Sequence, residues 1–301
     1  MATTTQLALP TGTASPLALW HLLSFDAPTV AALWTWFIAR TSHITLPLAV
    51  PVAMALAVWI LYAADRLLDT RALNSHRRSP VEELEARHLF HHRHRRAFLI
   101  GIVLAAASLT TLLHSLAPAA LRLYAIEGAL LLAWFLILHA TRSAHRLPKE
   151  IAVGLFFSAA VFIPTVSREP GLRPTLLPSA VLFAALCSLN CLFIYAWEHE
   201  GANRPTTQRR PQVSASRRTP HATTRFALAR LHTLAAATAI ACVALALLNP
   251  ASPWPIPAAC AIAAILLLIL DRRRSKFSRT DLRAAADIAL LTPILLLPFL
   301  R

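Results

Sequence analysis

The sequence predicts an all-α membrane protein with about nine transmembrane helices. Of its 301 residues, 56% are hydrophobic and only 14% are charged, whereas charged residues make up about 25% of an ordinary soluble domain. The mean hydropathy is +0.56. Apolar blocks long enough to cross the roughly 30 Å core of a bilayer recur along the whole chain. These observations argue against a soluble globular domain and favour a polytopic membrane protein.

The apolar blocks predict nine spans in a single transmembrane domain over residues 16–301. They lie near residues 24–41, 46–66, 97–117, 119–140, 150–167, 176–197, 226–248, 254–271 and 284–300. Prolines between 250 and 257 predict a turn between the seventh and eighth spans. Residues 1–15, rich in Thr and Ala, predict a disordered tail. Cytoplasmic loops are expected near 67–96, 141–149, 198–225 and 272–283.

The basic residues predict the orientation of the spans. The formal net charge is +15, and 23 of the 29 Lys and Arg residues lie in or beside the loops that follow spans two, four, six and eight. Alternate loops lie on one side of a membrane, and the positive-inside rule makes that side cytoplasmic. We therefore expect a cytoplasmic N-terminus in a bacterial inner (plasma) membrane. This distribution argues against a nucleic-acid partner, which would require a continuous basic face.

Two aspartates end the second span in the stretch LYAADRLLD. Asp65 and Asp69 are four residues apart, so on a helix they lie on one side. The C-terminal end of a helix carries the negative end of its dipole and disfavours anions. The pair therefore predicts a bound cation. The alternative is a solvated helix end that Arg66 or Arg71 neutralises.

The sixth span brings further polar groups to the same membrane face. It ends in LCSLNCLFIYAWEHEG, which contains Asn190, Glu198 and Glu200. Carboxylate and amide oxygens suit Mg²⁺, and arginines bind phosphates in bidentate fashion. Such groups beside an apolar bundle would suit a lipid-tailed diphosphate. For Glu198 the alternative is neutralisation by Arg204 or another arginine of the loop.

These residues and the nine-span layout resemble the UbiA superfamily of intramembrane prenyltransferases, whose first motif reads N-D-x-x-D-x-x-x-D. LYAADRLLD aligns with it without a gap. Leu61 stands at the Asn and Tyr62 at the first Asp, and Asp65 and Asp69 match the later two. RLPKEIAVG resembles the family's stretch of basic residue, Pro and Gly, with Lys149 as a phosphate contact. In the second motif, D-x-x-x-D, Glu198 is the acidic equivalent and Asn190 a possible amide ligand.

The resemblance implies a UbiA-like bundle that moves a polyprenyl group from its diphosphate to a small or lipid acceptor. Mg²⁺ would be held by Asp65, Asp69 and Glu198, which are also the catalytic candidates. The candidate substrate-binding residues are Tyr62, Arg66, Arg142, Lys149, Asn190 and Tyr195. The expected partners are polyprenyl diphosphate, the acceptor and membrane lipid, with no nucleic acid.

Two alternatives stay open at this point. Leu61 and Tyr62 replace two polar positions of the first motif, and most of the second motif is missing. A non-catalytic lipid- or phosphate-binding protein of the same fold would fit that pattern. A transporter is the less favoured alternative, because the sequence shows no inverted repeat with broken helices at the midplane.

Other polar residues have a structural and a functional interpretation. The run RHLFHHRHRR favours a basic helix at the lipid headgroups over a metal site, although His88, His91 or Arg95 could hold diphosphate. Within the ninth span, Asp287 is expected to pair with Arg283 one turn before it.

Overall fold

A computed structural model describes residues 16–74, 93–140, 149–200 and 221–299 of the chain. Within these ranges the regular structure is entirely helical. The predicted N-terminal tail, the histidine run from His88 to His92 and most of the predicted loop at 198–225 lie outside the described residues.

The described part of the chain forms long helices joined by short turns. The helices are α1 (Pro16–Leu22), α2 (Asp26–Thr41), α3 (Ala49–Asn74), α4 (Arg95–Leu112), α5 (Pro118–Ala140), α6 (Lys149–Arg168), α7 (Arg173–Glu200), α8 (Ala222–Ala229), α9 (Leu231–Leu248), α10 (Pro255–Arg272), α11 (Arg279–Ala289) and α12 (Pro293–Leu296). The turn predicted from the prolines is confirmed, because α9 ends at Leu248 and α10 begins at Pro255. Proline suits the first turn of a helix, where its missing N–H would have no partner.

Seven stretches of the described residues are long and apolar enough to cross a membrane, which fits an integral membrane protein. They are Ala49–Leu67, Arg95–Ser115, Lys149–Arg168, Pro170–Glu198, Leu231–Leu248, Pro255–Arg272 and Asp281–Phe299. The other two predicted spans lie on α2, which has 16 residues, and on α5, which has 23. The number of nine spans stays a prediction.

The core lies where α2, α6, α7 and α10 meet. Its largest fully buried side chains include Trp34 and Phe37 of α2 and Phe183 of α7. The rings of Trp34 and Phe183 lie 4.2 Å apart between centroids. By contrast, only 11% of the span in α4 is buried, against 56% in the spans of α6, α7 and α10. The helix α4 therefore lies at the edge of the bundle, where it packs on α3.

Polar side chains satisfy the backbone where the last helix breaks. The chain leaves α11 after Ala289 and resumes at Pro293, which cannot donate a helical hydrogen bond. The indole of Trp34 donates to the carbonyl oxygen of Leu290 at 2.8 Å, and the hydroxyl of Thr292 donates to the carbonyl oxygen of Ala259 at 2.9 Å. The break is thereby tied to α2 and α10, as a buried backbone requires.

The end of α3 differs from the prediction. The helix continues to Asn74, eight residues beyond the predicted end of the second span, instead of becoming a loop at residue 67. Asp65 and Asp69 both lie on α3, as expected, but neither stands in its last turn. Because the effect of the helix dipole falls off within one turn, its opposition to these two acids is weaker than the sequence suggested.

Candidate functional site

The candidate site is a cluster of buried polar side chains at one end of the bundle. At this end α3, α7 and α10 finish and α2, α6, α9 and α11 begin. Its members are His21 before α2, Asp26 of α2, Arg66 of α3, Asn190 of α7 and Asp287 of α11. We call these five residues the buried cluster. In the predicted topology they lie near the cytoplasmic face.

Two carboxylates and an imidazole form the centre of the buried cluster. A ring nitrogen of His21 (Nδ1) lies 2.7 Å from Oδ2 of Asp26 and 4.0 Å from Oδ2 of Asp287. One ligand atom from each of the three residues lies within 4.8 Å of the other two. Such closeness of two carboxylates in an apolar bundle requires a shared proton or a nearby cation.

A strained turn holds His21 and Asp26 together. Between α1 and α2, Ser24 has a φ of 62°, in the left-handed region that disfavours residues with a Cβ atom. Arg66 donates to the carbonyl oxygen of His21 at 3.2 Å and to the hydroxyl oxygen of Ser24. Its second terminal nitrogen lies 3.8 Å from Oδ2 of Asp26. One buried guanidinium therefore stabilises the turn and compensates part of the acidic charge.

Asn190 contributes an oxygen with no hydrogen-bond partner. Its amide nitrogen donates to Oδ1 of Asp287 at 3.2 Å. The same residue is only 5% exposed, and its Oδ1 atom has no hydrogen-bond partner among the described residues. A buried polar atom without a partner costs free energy, so a native one calls for an explanation. The amide contacts the carboxylate of Asp287, so a ligand bound beside that carboxylate is one such explanation.

A separate ion pair lies beside the buried cluster. Arg283 of α11 lies 2.8 Å from Oε1 of Glu198 at the end of α7. The sequence predicted that Arg283 would serve Asp287, whereas the structure shows Asp287 bonded to Asn190 and Arg283 paired with Glu198. Since Arg283 precedes Asp287 by one helical turn, the pair stays close to the cluster and affects its electrostatics.

The structure brings together three of the predicted site residues. Arg66 and Asn190 belong to the buried cluster, and Tyr62, one turn before Arg66, lies within electrostatic range of Asp26 and Asp287. Asp65 lies exposed on the face of α3 that also carries the exposed Leu61. Helical periodicity explains this split, because positions 62 and 66 share one face and positions 61 and 65 another.

The remaining predicted site residues are not members of the buried cluster or lie outside the described residues. Lys149 is exposed at the start of α6, and Tyr195 is half-buried on α7. Arg95, at the start of α4, is exposed. Asp69 lies on α3, but its side chain is outside the described part of the structure, as is the whole of Arg142.

A second polar group joins α7, α9 and α10 at the same end of the bundle. The carboxylate of Asp271 accepts from the indole of Trp197 at 2.7 Å and lies 2.7 Å from Nε2 of His232. Arg274 approaches Asp271 at 3.3 Å. Because the carboxylate is already bonded to three groups, this arrangement suits a structural tie between helices.

His21 and Asp26 were not predicted as site residues. The available signal was the stretch WHLLSFDAP, in which a histidine and an aspartate five residues apart interrupt apolar residues. Ionisable residues in membrane segments are functional candidates by default. Their contact depends on the left-handed turn at Ser24, for which the sequence carries no glycine signal.

Comparisons of the chain with protein-family models, curated proteins and solved structures find no match. The function is therefore inferred from the residues of this chain alone. They form a buried site with three carboxylate or amide groups, one imidazole and one guanidinium, next to an Arg–Glu pair. Such a site can bind a cation through oxygen and nitrogen, or an anion through Arg66 and Arg283.

Proposed function

We propose that this chain is an integral membrane prenyltransferase with a UbiA-like bundle of nine transmembrane helices. It would move a polyprenyl group from its diphosphate to a small or lipid acceptor, with Mg²⁺ as cofactor. The observation that carries the proposal is the joint position of Tyr62, Arg66 and Asn190, three predicted substrate-binding residues, at one end of an apolar bundle.

The donor groups proposed to hold Mg²⁺ have suitable chemistry. Asp65, Asp69 and Glu198 offer carboxylate oxygens, which Mg²⁺ prefers, but Asp65 lies on the exposed face of α3 and not on the face of Tyr62 and Arg66. Oε1 of Glu198 is buried and lies 2.8 Å from Arg283, but it accepts no hydrogen bond of proper geometry from the residues that the structure describes. This oxygen can therefore still bind a ligand. When bound, Mg²⁺ would neutralise charge on the diphosphate.

The protein's own groups would contribute in two ways. Arg66 and Arg283 would attract the diphosphate and stabilise negative charge that develops on it as the allylic C–O bond breaks. The apolar side chains of the bundle would exclude water from the allylic cation until the acceptor attacks it. Tyr62 beside Arg66 would help to orient the substrate at the boundary between these two regions.

The experiment is a pyrophosphate-release assay on the purified chain in lipid nanodiscs, with polyprenyl diphosphates of several lengths and Mg²⁺. We expect release in the wild type and at least a roughly 100-fold loss in Asp65→Asn and Asp69→Asn, because charge neutralisation at the leaving group is lost. Glu169→Gln is the matched control, since Glu169 is an exposed carboxylate at the opposite end of the bundle. Full activity in both aspartate variants would sink the assignment.

A second candidate is a non-catalytic protein of the same fold that binds a lipid or a phosphate. The ion pair between Glu198 and Arg283 favours it, because Glu198 already has a cationic neighbour. This candidate predicts that polyprenyl diphosphate binds to the chain without release of pyrophosphate under any metal condition. Equilibrium binding of the radiolabelled diphosphate, measured beside the release assay, separates the two functions.

A further inference from the structure

The geometry points to a divalent-cation site formed by His21, Asp26, Asn190 and Asp287, separate from Asp65 and Asp69. The occupant would be a first-row transition-metal ion such as Mn²⁺ or Zn²⁺. This inference does not depend on prenyl transfer. Its four ligands come from the last turn of α1 and from α2, α7 and α11.

The ligand atoms are close enough to share one ion. One atom each from His21, Asp26 and Asp287 lies within 4.8 Å of the others. Two ligands that stand about 2.0–2.2 Å from the same ion can be separated by at most about 4.4 Å. Side-chain rotations that move atoms by roughly a few tenths of an ångström would therefore close the site.

Asn190 gives independent support for a ligand at this place. Only 5% of the residue is exposed, and within the described part of the chain Oδ1 has no hydrogen-bond partner. The amide nitrogen contacts Asp287 at 3.2 Å. A half-turn of the amide would direct Oδ1 to the place where Nδ2 now meets the carboxylate. With a cation between the two oxygens, Oδ1 would be the fourth ligand, and the two metal–oxygen bonds would replace the hydrogen bond that Nδ2 now gives to Asp287.

The charges of the site are compatible with a divalent ion that takes the place of a shared proton. Asp26 and Asp287 carry two formal negative charges when both are ionised, and positive charge comes from Arg66, at 3.8 Å from Asp26, and from His21, at 2.7 Å from Asp26, when its ring is protonated. Arg283 is paired with Glu198 at 2.8 Å. A buried carboxylate without full compensation is costly, and a divalent ion would compensate it. Arg66 would remain bonded to the turn and hold Asp26 in place.

The mixed donor set distinguishes this site from a magnesium site. One imidazole nitrogen with three oxygens suits Mn²⁺, Zn²⁺ or Fe²⁺, whereas Mg²⁺ prefers oxygen ligands alone. A bound ion would join α2, α7 and α11 at one end of the bundle, together with the turn from α1. We therefore expect the ion to raise the thermal stability of the folded chain.

The test uses the full chain in detergent after removal of metal with EDTA, titrated with MnCl₂ and followed by electron paramagnetic resonance. We expect one Mn²⁺ per chain, a higher Tm with Mn²⁺, and electron spin-echo modulation from an imidazole nitrogen. Asp26→Asn and Asp287→Asn should each weaken binding at least tenfold. His21→Gln should remove the nitrogen modulation. Asp281→Asn is the control and should bind as the wild type does, because Asp281 lies in the first turn of the same helix α11, where its carboxylate accepts from the hydroxyl of the N-cap residue Ser278.

The wild-type titration alone can overturn the inference, so it stays testable even where a variant fails to fold. Absence of bound Mn²⁺ and Zn²⁺ in the wild type overturns it. So does binding that survives in all three cluster variants, which would assign the ion to the histidine run instead. Binding that is lost only in Asp65→Asn and Asp69→Asn would also overturn it, while supporting the proposed prenyltransferase.

Discussion

Gly154 lies at a close contact between α6 and α7. A Cβ atom at this position would lie 2.5 Å from the carbonyl oxygen of Ala184 and 2.8 Å from the backbone nitrogen of Ser188, and closer still to the hydroxyl of Ser188. Backbone atoms cannot move aside as the tip of a side chain can. We expect Gly154→Ala to lower the free energy of unfolding by about 1–3 kcal/mol, as overpacking does, with a lower Tm in detergent.

Gly128 provides the matched control for this prediction. It also lies within a long helix, α5, but a Cβ atom there would meet nothing within 4 Å. Gly128→Ala should leave Tm unchanged or raise it, because alanine is the better helix former by about 1 kcal/mol. An equal decrease in Tm in the two variants would contradict the close contact between α6 and α7 at Gly154.

Arg66 is the buried cation on which the turn before α2 depends. It bonds to the carbonyl oxygen of His21 and to Ser24, and it lies 3.8 Å from Asp26. Removing one partner of a buried ion pair costs about 3–5 kcal/mol. We expect Arg66→Met to lower stability by that order. The addition of Asp26→Asn should recover part of the loss, because the orphaned carboxylate disappears.

Thermal unfolding of the single and double variants measures this coupling. Arg40→Met is the control, since Arg40 is an exposed arginine at the other end of α2. If the double variant loses as much stability as the two single variants together, Arg66 and Asp26 are energetically independent, contrary to our expectation.

The sequence could predict polar residues of the site only where they stand in helices with a regular periodic pattern. Tyr62, Arg66 and Asn190 were found because they stand in helices at positions close to recognisable acids. The face of α3 that is buried could not be predicted, since both faces of LYAADRLLD carry apolar residues. His21 and Asp26 meet through a left-handed serine, and no periodic pattern describes such a turn.

Among the helices, α10 is fastened to α7 and α9 by the carboxylate of Asp271. It lies 2.7 Å from both the indole nitrogen of Trp197 and Nε2 of His232. A hydrogen bond to a charged group contributes about 1.5–3 kcal/mol. We expect Trp197→Phe to lower stability by that order. In an Asp271→Asn background the same change should cost less.

A double-mutant cycle on the unfolding free energies provides the measurement. Trp36→Phe serves as the control, because Trp36 is 37% exposed on α2 and faces away from the core. If Trp197→Phe lowers the unfolding free energy by the same amount with Asp271 and with Asn at position 271, the hydrogen bond from Trp197 to Asp271 contributes nothing to the attachment of α10.

The helices themselves were largely predictable, because apolar blocks between polar loops define them. The prolines between residues 250 and 257 correctly predicted where α10 begins. The extension of α3 to Asn74 was missed, since its last turns are polar and a hydropathy pattern ends where the membrane ends. The break before Pro293 was missed as well, because its cost is offset by Trp34, a partner 256 positions away in the chain.

For the molecule as a whole, the polar groups and the loops define one end of the bundle. The buried cluster, the pair Glu198–Arg283 and the group around Asp271 lie where α7 ends and α11 begins. The loops that follow α3, α5, α7 and α10 carry most of the basic residues. An anionic lipid or diphosphate would be attracted to this end by the same charges that fix the predicted topology.

The orientation of this end can be tested by cysteine labelling in intact bacterial cells. In a variant whose four native cysteines are replaced by alanine, Thr45→Cys lies in the exposed turn between α2 and α3, and Ser275→Cys in the exposed turn between α10 and α11. The positive-inside rule predicts that a membrane-impermeant maleimide labels Thr45→Cys in intact cells and Ser275→Cys only after permeabilisation. The reverse pattern would place the buried cluster outside the cell, where a cytoplasmic diphosphate could not reach it, and the proposed function would fail.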